Sequence, residues 1–357
     1  MESITTKNAI VHFNMNVYSE LNKHIKLSNP SSIFILVDTN THDYCLPRFL
    51  SNLESDDILV EVMEMPEGED HKTIDICTGV WEALSEYGAD RKSLLINLGG
   101  GVVTDLGGFV ASTYMRGLDY INVPTSLLGM VDASVGGKTG VDLGPLKNQI
   151  GVISEGSMVL IDPAFLETLP QNHMVSGYAE MIKHGLIADK GYWHMLTNLE
   201  KLDVTVLDKL IYDSVIIKNN VVMKDPHEKG LRKILNFGHT LGHAIESCFL
   251  QNADKELLLH GEAIAIGMIL EAYLSVKFCN LTKDELTEIS DGVLKSFSKI
   301  EINSQDREII LKLLKHDKKN SHGKINFVLL DSIGKPKLDC EVDNNSINEA
   351  FNYYEKL

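Results

Sequence analysis

Two histidines stand four residues apart in the segment LNFGHTLGHAIE, residues 235–246. On an α-helix, side chains four positions apart lie on the same face, one turn above the other. His239 and His243 therefore form a candidate metal or proton-transfer site, and two histidines that merely share a helix face are the alternative. The helix of zinc proteases repeats this spacing with a glutamate directly after its first histidine. Thr240 occupies that position here, which excludes that class.

A glycine-rich segment, GGGVVTDLGG at 99–108, follows a predicted strand. Its glycines allow the backbone to approach a pyrophosphate that faces helix N-terminal amides, although a tight connection is the alternative. Polar residues after two other strands support a dinucleotide site. Asp38 and Asn40 end one strand, where they could hold a ribose hydroxyl or a nicotinamide, and Glu69 and Lys72 follow the next. For each acidic residue, the alternative is a solvated turn position.

A long stretch of low charge, residues 123–151, carries only Asp132, Lys138, Asp142 and Lys147 as charged residues. Lys138 stands between glycines and a threonine in VGGKTG, which does not match the P-loop pattern GxxxxGK[ST]. Glycines beside a lysine indicate that backbone and ammonium both approach a ligand. A lysine on a surface loop is the alternative.

Composition limits the possible partners. The 357 residues carry a net charge of −17, which argues against a nucleic-acid partner and leaves a small anionic substrate possible. The N-terminus shows no secretory signal pattern, and no apolar run reaches the roughly 20 residues of a membrane span. Five scattered cysteines are typical of reduced thiols, so we expect a cytoplasmic protein. They are Cys45, Cys77, Cys248, Cys279 and Cys340.

The pattern of elements predicts two domains. Alternating strands and helices predict an α/β dinucleotide-binding domain with a parallel sheet over residues 1–170, with ligands outside the carboxyl ends of its strands. Amphipathic segments predict a mainly α-helical domain over residues 171–357. The predicted strands are 31–40, 58–65, 93–101, 118–126, 158–163 and 324–334. The predicted helices are 75–88, 175–189, 204–224, 236–250, 260–280, 283–298 and 346–357.

Seven motifs then occur in a fixed order: GGGVVTDLGGFVASTYMRG, VPTSLLGMVDASVGGKTGVD, LKNQIG, YAEMIKHGLI, GLRKILNFGHTLGHAIE, LHGEAIAIGM and HDKKNSHGKINFVLLDSIGK. Together they make the chain resemble the 3-dehydroquinate synthase family over roughly residues 38–335. The resemblance implies an NAD-binding domain, a helical metal-binding domain and a homodimer, with the active site in the cleft between the domains. It also implies a phosphate-eliminating lyase of the shikimate pathway that converts 3-deoxy-D-arabino-heptulosonate 7-phosphate to 3-dehydroquinate and phosphate.

The resemblance assigns roles to individual residues. The metal, zinc or cobalt, is expected to bind Glu180, His239 and His260, and His243 becomes an active-site residue rather than a ligand. His184, four residues after Glu180, could compete as a ligand without support from the family. The expected substrate-binding and catalytic positions are Arg116, Lys138, Asn148, Lys183, Lys218, Arg232, Asn236 and Lys318, with Lys319 as the alternative to the last. The expected cofactor positions are Asp38, Asn40, Glu69, Lys72, Gly100, Gly101, Val102, Asp105, Thr125, Ser126, Asp132, Lys138, Lys147, Phe165 and Thr168.

The implied chemistry uses NAD transiently. A secondary hydroxyl is oxidised with the metal as Lewis acid, phosphate is eliminated, the hydride returns, and ring opening precedes an intramolecular aldol reaction. Two positions depart from the family pattern. Ser126 replaces a threonine but keeps the hydroxyl, so cofactor binding is expected to survive. Asp142 replaces an asparagine, and either adds negative charge near the substrate lysines or faces water.

Three alternatives remain open at this level. A sibling sugar-phosphate cyclase would share the metal and cofactor residues but would need no carboxylate clamp. Arg232, Asn236 and the HDKKN segment favour the heptulosonate acid. A glycerol-type dehydrogenase would share the two-domain plan but would accumulate NADH. A non-catalytic binding module with a relic site is disfavoured because the set of ligands and cations is complete.

Overall fold

The computed structural model describes residues 1–144, 146–252, 255–315 and 325–357. Contacts divide the chain into two compact units. The first unit contains Met1–Pro170 and Asp203–Met223, and the second contains Gln171–Leu202 and Lys224–Leu357. None of the helices in the described ranges is both long and apolar enough to cross a membrane.

The main sheet of the first unit has the strand order β1-β2-β9-β6-β5-β3-β4. Its strands are β1 Ile4–Thr5, β2 Ile10–Phe13, β3 Ser32–Asp38, β4 Leu59–Met65, β5 Leu94–Gly99, β6 Asp119–Pro124 and β9 Met158–Ile161. A separate hairpin pairs β7 Lys138–Leu143 with β8 Leu146–Ile153. All neighbours in the main sheet run parallel except β1 and β2.

Apolar runs explain why these strands form the centre of a sheet. Residues 33–37 on β3 and 94–96 on β5 are almost fully buried, as expected for parallel strands covered on both faces. The chain continues from β3 to β4 on one side, whereas β5 lies on the other side of β3. This switch point places a crevice outside the carboxyl ends of β3 and β5, where doubly wound folds bind ligands.

Helices of the first unit follow these strands. They are α1 Asn16–Ser28, α2 Thr39–Tyr44, α3 Leu46–Leu50, α4 Ile74–Glu86, α5 Gly101–Thr113 and α8 Val204–Lys224. The five predicted strands between residues 31 and 163 and the predicted helix 75–88 are confirmed within a few residues. Strands β1 and β2 and the β7–β8 hairpin were not predicted, because each is short or rich in glycine and lacks a clear alternation of apolar residues.

Helix α8 corrects the predicted domain division. The sequence assigned 204–224 to the helical domain, but the structure packs this helix within the first unit. Its buried face includes Leu207 and Ile211, and the Tyr212 ring meets the Phe13 ring edge-on with centroids 5.0 Å apart. The Asn219 side chain also donates to the backbone oxygen of Thr5 at 3.1 Å. Amphipathic spacing predicts a helix but does not specify which unit its apolar face will cover.

The second unit is mainly helical, as predicted. It contains α6 Gln171–Ala188, α7 Lys190–Thr197, α9 His239–Leu250, α10 His260–Phe278, α11 Lys283–Leu294, α12 Ser304–Lys315, α13 Asn344–Lys356, β10 Asn326–Ser332 and β11 Lys335–Glu341. Strands β10 and β11 pair as an antiparallel hairpin. Helix α10 is buried along most of its length, and a Cβ on Gly261 would lie 2.0 Å from the Ser176 carbonyl oxygen. The start of α10 therefore lies directly against α6.

Candidate active site

Three helices of the second unit bring the predicted metal ligands together. Glu180 lies on α6, His239 is the first residue of α9, and His260 is the first residue of α10. The helix predicted from residue 236 starts later, because a short 3₁₀ segment, Leu231–Asn236, ends at Phe237. Gly238, with a left-handed φ of 79°, then precedes the first residue of α9. The two imidazoles thus project from helix N-termini rather than from the middle of a helix.

The distances define a compact cluster. Oε1 of Glu180 lies 3.4 Å from Nε2 of His239 and 3.7 Å from Nε2 of His260. Ring nitrogens of His239, His243 and His260 lie within 4.8 Å of one another. His243 therefore shares the cluster with both predicted imidazole ligands, as the four-residue spacing suggested. Its assignment as a residue other than a ligand stays a prediction.

Acceptors behind the rings orient two of the imidazoles. Nδ1 of His239 lies 3.2 Å from the Phe237 carbonyl oxygen, and Nδ1 of His260 lies 3.2 Å from Oε2 of Glu246. A carbonyl and a carboxylate can only accept, so both rings carry a proton on Nδ1. Each Nε2 then faces Glu180. With Nδ1 protonated, Nε2 is the atom of each ring that can exchange a proton for a metal ion.

The carboxylate of Glu180 is fully buried, and neither of its oxygens receives a well-oriented hydrogen bond from the described residues. Lys183 on the same helix forms an ion pair with Oε2. Burial would raise the pKa of Glu180, but Lys183 and His239 hold it well below its usual range. A buried carboxylate and imidazole nitrogens form a donor set that fits zinc or cobalt and leaves positions for substrate oxygens.

His260 is strongly affected by its two carboxylate neighbours. Burial would lower the pKa of His260, but Glu246 and Glu180 together raise it to about 10. The imidazole is thus surrounded by negative charge in this arrangement. A divalent cation between the rings would replace the ring proton and neutralise the same carboxylates, which is a further reason why these residues fit a metal.

Further cationic and polar residues of the second unit lie on α6 and in the segment before α9. Lys183 is 1 % exposed and Arg232 is 2 % exposed, so neither is an ordinary surface cation. The Arg232 guanidinium donates to the Pro226 carbonyl oxygen at 2.8 Å. Asn236 donates to Oε1 of Glu228 at 2.8 Å. Glu228 was not predicted from the sequence, because an acidic residue in the loop DPHEKG has no spacing that marks it.

Two further positions, His184 and the HDKKN segment, were considered as metal-binding and substrate-binding residues. His184 is fully buried on α6, one turn after Glu180, and a ligand role for it stays an open alternative. Lys318, Lys319 and the rest of the HDKKN segment lie outside the described residues, and their contact with substrate stays a prediction.

In the first unit, the glycine-rich segment lies at the carboxyl end of β5, as predicted. Gly100 precedes α5, which begins at Gly101 and Val102, and a Cβ on Gly100 would lie 3.3 Å from the Ser126 hydroxyl. The Ser126 hydroxyl accepts from the Gly129 amide at 3.1 Å. The Thr125 amide donates to the Gly99 carbonyl oxygen at 3.0 Å, which joins the ends of β5 and β6.

The first acid of the predicted dinucleotide site also has a structural role. Asp38 ends β3 and caps α2, where its carboxylate accepts from the Thr41 amide at 2.7 Å. Asn40 is exposed on the first turn of α2. Both residues thus lie at the carboxyl end of β3, next to the switch point of the sheet.

A polar cluster forms between the segment after β4, helix α5 and the β7–β8 hairpin. Lys72 donates to Oδ2 of Asp105 at 2.6 Å and to Oδ1 of Asn148 at 2.8 Å. Lys147 lies 3.5 Å from Oε1 of Glu69. Burial would lower the pKa of Lys72, but Asp105 and Glu69 raise it above its usual range. Five predicted cofactor or substrate residues therefore come together, although they are spread over 80 positions of the sequence.

Asp142, one of the two departures, does not simply face water. Its Oδ1 accepts from the backbone amide of Asn148 at 2.6 Å, and Asn148 has a positive φ of 51°. Burial raises the pKa of Asp142. The carboxylate thus holds the backbone of Asn148, which is itself a predicted substrate residue. Ser126 and Asp142 are both compatible with the roles assigned to their neighbours.

The remaining predicted residues of the first unit include one further ion pair. Lys218 on α8 contacts Oδ1 of Asp132 at 2.6 Å. Arg116 and Lys138 are exposed, and Arg116 is the last residue of a short 3₁₀ segment, Tyr114–Arg116, with a φ of 71°. Phe165 is buried after β9, and the hydroxyl of Thr168 donates to its carbonyl oxygen at 3.3 Å. The contacts of these residues with cofactor or substrate stay predictions.

Comparison with known proteins agrees with the motifs. Residues 62–176 match the family model for the N-terminal part of 3-dehydroquinate synthase, and residues 177–320 match the model for its C-terminal part. A 3-dehydroquinate synthase from Parabacteroides distasonis is 40% identical over 340 residues, which cover 94% of this chain and 95% of the relative.

Solved structures share the fold at lower identity. A 2-deoxy-scyllo-inosose synthase, complexed with carbaglucose-6-phosphate, NAD⁺ and Co²⁺, superposes with a TM-score of 0.85 at 24% identity, covering 99% of this chain and 100% of that one. A 2-epi-5-epi-valiolone synthase from Streptomyces hygroscopicus with NAD⁺ and Zn²⁺ bound gives 0.83 at 24% identity, covering 100% and 99%. At this identity, the likeness establishes the arrangement of helices and strands alone.

Proposed function

The chain belongs to the 3-dehydroquinate synthase family, and we propose that it carries out that family's reaction with Glu180, His239 and His260 as the ligands of its metal ion. The substrate is 3-deoxy-D-arabino-heptulosonate 7-phosphate, and the products are 3-dehydroquinate and phosphate. One observation carries the proposal: a buried carboxylate oxygen lies 3.4 Å and 3.7 Å from two Nε2 atoms that face it from different helices.

Metal and cofactor are assigned from the fit of these residues and from the family. Zinc or cobalt suits one carboxylate and two imidazoles, and NAD suits the glycine turn and the polar residues at the ends of β3 and β5. When bound, the metal supplies Lewis acidity toward a substrate hydroxyl, and NAD supplies a hydride acceptor that is restored within the turnover.

The chain's own residues supply position and charge. Arg232 can hold an anionic group with two parallel donors, whereas Lys183 acts as a point charge. Both are nearly excluded from water, which strengthens their attraction for a carboxylate or phosphate. His243 lies within 4.8 Å of both imidazole ligands and can hold or move a proton at a substrate oxygen. Asn236 adds an amide that is fixed by Glu228.

Substrate choice among related cyclases depends on the acid group of the heptulosonate. Sibling enzymes that act on sedoheptulose 7-phosphate or glucose 6-phosphate need no carboxylate clamp. The relatives at about 40% identity are 3-dehydroquinate synthases, whereas the other cyclases match only at 24%. Arg232 and Asn236 are the residues that we expect to favour the acid. We also propose a cytoplasmic location, which five free cysteines support, and a homodimer, which rests on the family resemblance alone.

The test is phosphate release from the heptulosonate phosphate with trace NAD, with sedoheptulose 7-phosphate and glucose 6-phosphate as matched alternatives. We expect release from the acid alone, no net change in absorbance at the NADH wavelength, loss of activity after chelation and recovery with Zn²⁺ or Co²⁺. Net accumulation of NADH would indicate a dehydrogenase instead. Full activity in a metal-free sample would overturn the metal assignment.

A further inference from the structure

Glu271 is a fully buried carboxylate that belongs neither to the proposed ligands nor to the predicted substrate residues. It lies on α10, the helix that begins with His260. A buried carboxylate is costly unless its oxygens are hydrogen-bonded, so its partners indicate what it does. Those partners lie at the beginning of α9, the helix that carries His239 and His243.

Both oxygens of Glu271 accept backbone amides at the start of α9. Oε2 accepts from the Gly238 amide at 2.6 Å, and Oε1 accepts from the Leu241 amide at 3.1 Å. The first turn of a helix leaves its amides without partners inside the helix, and negative charge is favourable there. Since Gly238 itself carries no side-chain cap, Glu271 supplies the cap from a neighbouring helix.

The hydrogen bond to Gly238 does more than cap α9, because it also connects Glu271 to His239. The Gly238 N–H and the Phe237 carbonyl belong to the same planar peptide group, in which the two bonds point in opposite directions. The N–H meets Glu271, and the carbonyl oxygen lies 3.2 Å from Nδ1 of His239. One peptide therefore connects the carboxylate of Glu271 to the imidazole of His239. Hydrogen bonds linked in this way polarise one another.

The packing leaves little freedom for this peptide. A Cβ on Gly267 of α10 would lie 2.0 Å from the Gly238 carbonyl oxygen, so the two backbones are in direct contact. Gly238 has a left-handed φ of 79°, and a Cβ there would lie 2.6 Å from Cγ of Met268. The α10 backbone thus packs directly against this turn, and Glu271 accepts a hydrogen bond from the N–H of Gly238.

From this geometry we propose that Glu271 is a positioning residue for metal binding. Through the Phe237–Gly238 peptide it fixes the orientation and tautomer of His239, so that Nε2 faces Glu180 at 3.4 Å. Carboxylates that bond directly to metal-binding histidines have the same effect, and their loss weakens metal binding about 10- to 100-fold. The inference rests on the proposed function, because it assumes that His239 is a ligand.

A purely structural role is the alternative, in which Glu271 stabilises α9 without influence on the metal. The two roles differ in metal affinity rather than in stability. Ser275 offers a matched control, since it lies one turn further along α10, is fully buried, and accepts from the Leu330 amide at 2.9 Å. Its hydroxyl also donates to the Glu271 backbone carbonyl oxygen at 2.6 Å. Ser275→Ala therefore removes two buried hydrogen bonds from the same helix and leaves the Glu271 carboxylate and its two amide partners in place.

The experiment measures the dissociation constant of Zn²⁺ by competition with a chromophoric chelator, and the visible spectrum of the Co²⁺-loaded protein. We expect about 10-fold weaker binding for Glu271→Gln and up to about 100-fold for Glu271→Ala, with a changed Co²⁺ spectrum in both. Ser275→Ala should lower the denaturant midpoint and leave the dissociation constant within about twofold of wild type.

The outcomes separate this inference from the metal assignment. Wild-type affinity and spectrum in a folded Glu271→Gln protein would overturn the positioning role. Glu271→Gln keeps the shape and one acceptor of the side chain, so it carries the test if Glu271→Ala does not fold. If His239→Ala binds Zn²⁺ as tightly as wild type, the metal assignment itself fails.

Discussion

Nδ1 of His260 lies 3.2 Å from Oε2 of Glu246, while Nε2 of the same ring faces Glu180 at 3.7 Å. Glu246 is on α9, seven residues after His239, and is 6 % exposed. One helix therefore supplies an imidazole to the cluster and the carboxylate that orients a second imidazole. This relationship could not be read from the sequence, where the two residues are 14 positions apart.

The first prediction concerns Glu246→Gln. Glutamine can still accept from Nδ1 but carries no charge, so the ring stays oriented while its basicity falls. We expect Zn²⁺ affinity to fall by about 10-fold or more with little loss of stability. The measurement is chelator competition with purified protein. Glu256→Gln, on an exposed residue of the following segment, is the control. Unchanged affinity in a folded Glu246→Gln protein would show that the carboxylate does not act on the ring.

The second prediction assigns different roles to His243 on α9 and His260 on α10. His260→Ala should lower the metal content of the purified protein, because it removes a ligand. His243→Ala should keep the metal and lower the rate of phosphate release by about 100-fold or more, as expected for loss of an acid–base group. Metal analysis and kinetics on the same preparations test both statements. Equal metal loss in the two variants would contradict the proposed division of roles.

The third prediction concerns the contact between α10 and the turn before α9. Gly267→Ala would place a Cβ 2.0 Å from the Gly238 carbonyl oxygen, and backbone cannot move aside as a side chain can. We expect a loss of at least about 1–3 kcal/mol in the free energy of unfolding, with weakened metal binding. Denaturant unfolding provides the measurement.

Gly79→Ala is the matched control for that variant. Gly79 lies within α4, and a Cβ there would meet no heavy atom within 4 Å. Alanine is the better helix former by about 1 kcal/mol, so this variant should be neutral or stabilised. Similar losses in both variants would mean that the loss does not arise from the close approach of the two backbones.

The fourth prediction concerns pH. Burial raises the pKa of the Cys45 and Cys248 thiols to about 11 and that of Cys77 to about 12. An unfolded thiol has a pKa of about 8.5, so the unfolded chain loses these protons first as pH rises. The thiol contribution to stability is present below about pH 8.5 and is lost progressively toward pH 11 to 12.

Two measurements check this behaviour. The free energy of unfolding should fall between pH 8 and pH 10, and alkylation of the native protein at pH 8 should be slow compared with alkylation of the denatured protein. Cys45→Ser, Cys77→Ser and Cys248→Ser together should reduce the fall with pH. Rapid labelling of these three cysteines in the native protein would argue that their surroundings are open to water.

Several features followed from the sequence because they depend on local order. The apolar runs at 31–40 and 93–101 predicted buried parallel strands, since both faces of such strands are covered. The glycines at 99–101 predicted the turn before α5, and the ordered motifs predicted the family. The four-residue spacing of His239 and His243 placed both rings on one helix face, as the structure shows.

Other features were decided only by tertiary packing. The sequence placed α8 with the helical domain, but the apolar face of α8 covers the first unit. It also gave no sign of Glu228, Glu246 or Glu271, whose partners are backbone amides or side chains on separate elements. Spacing along a chain reports which side chains share a helix or strand. The neighbours of a buried carboxylate depend instead on how closely two helices approach, which the glycines at Gly261 and Gly267 set in the folded unit.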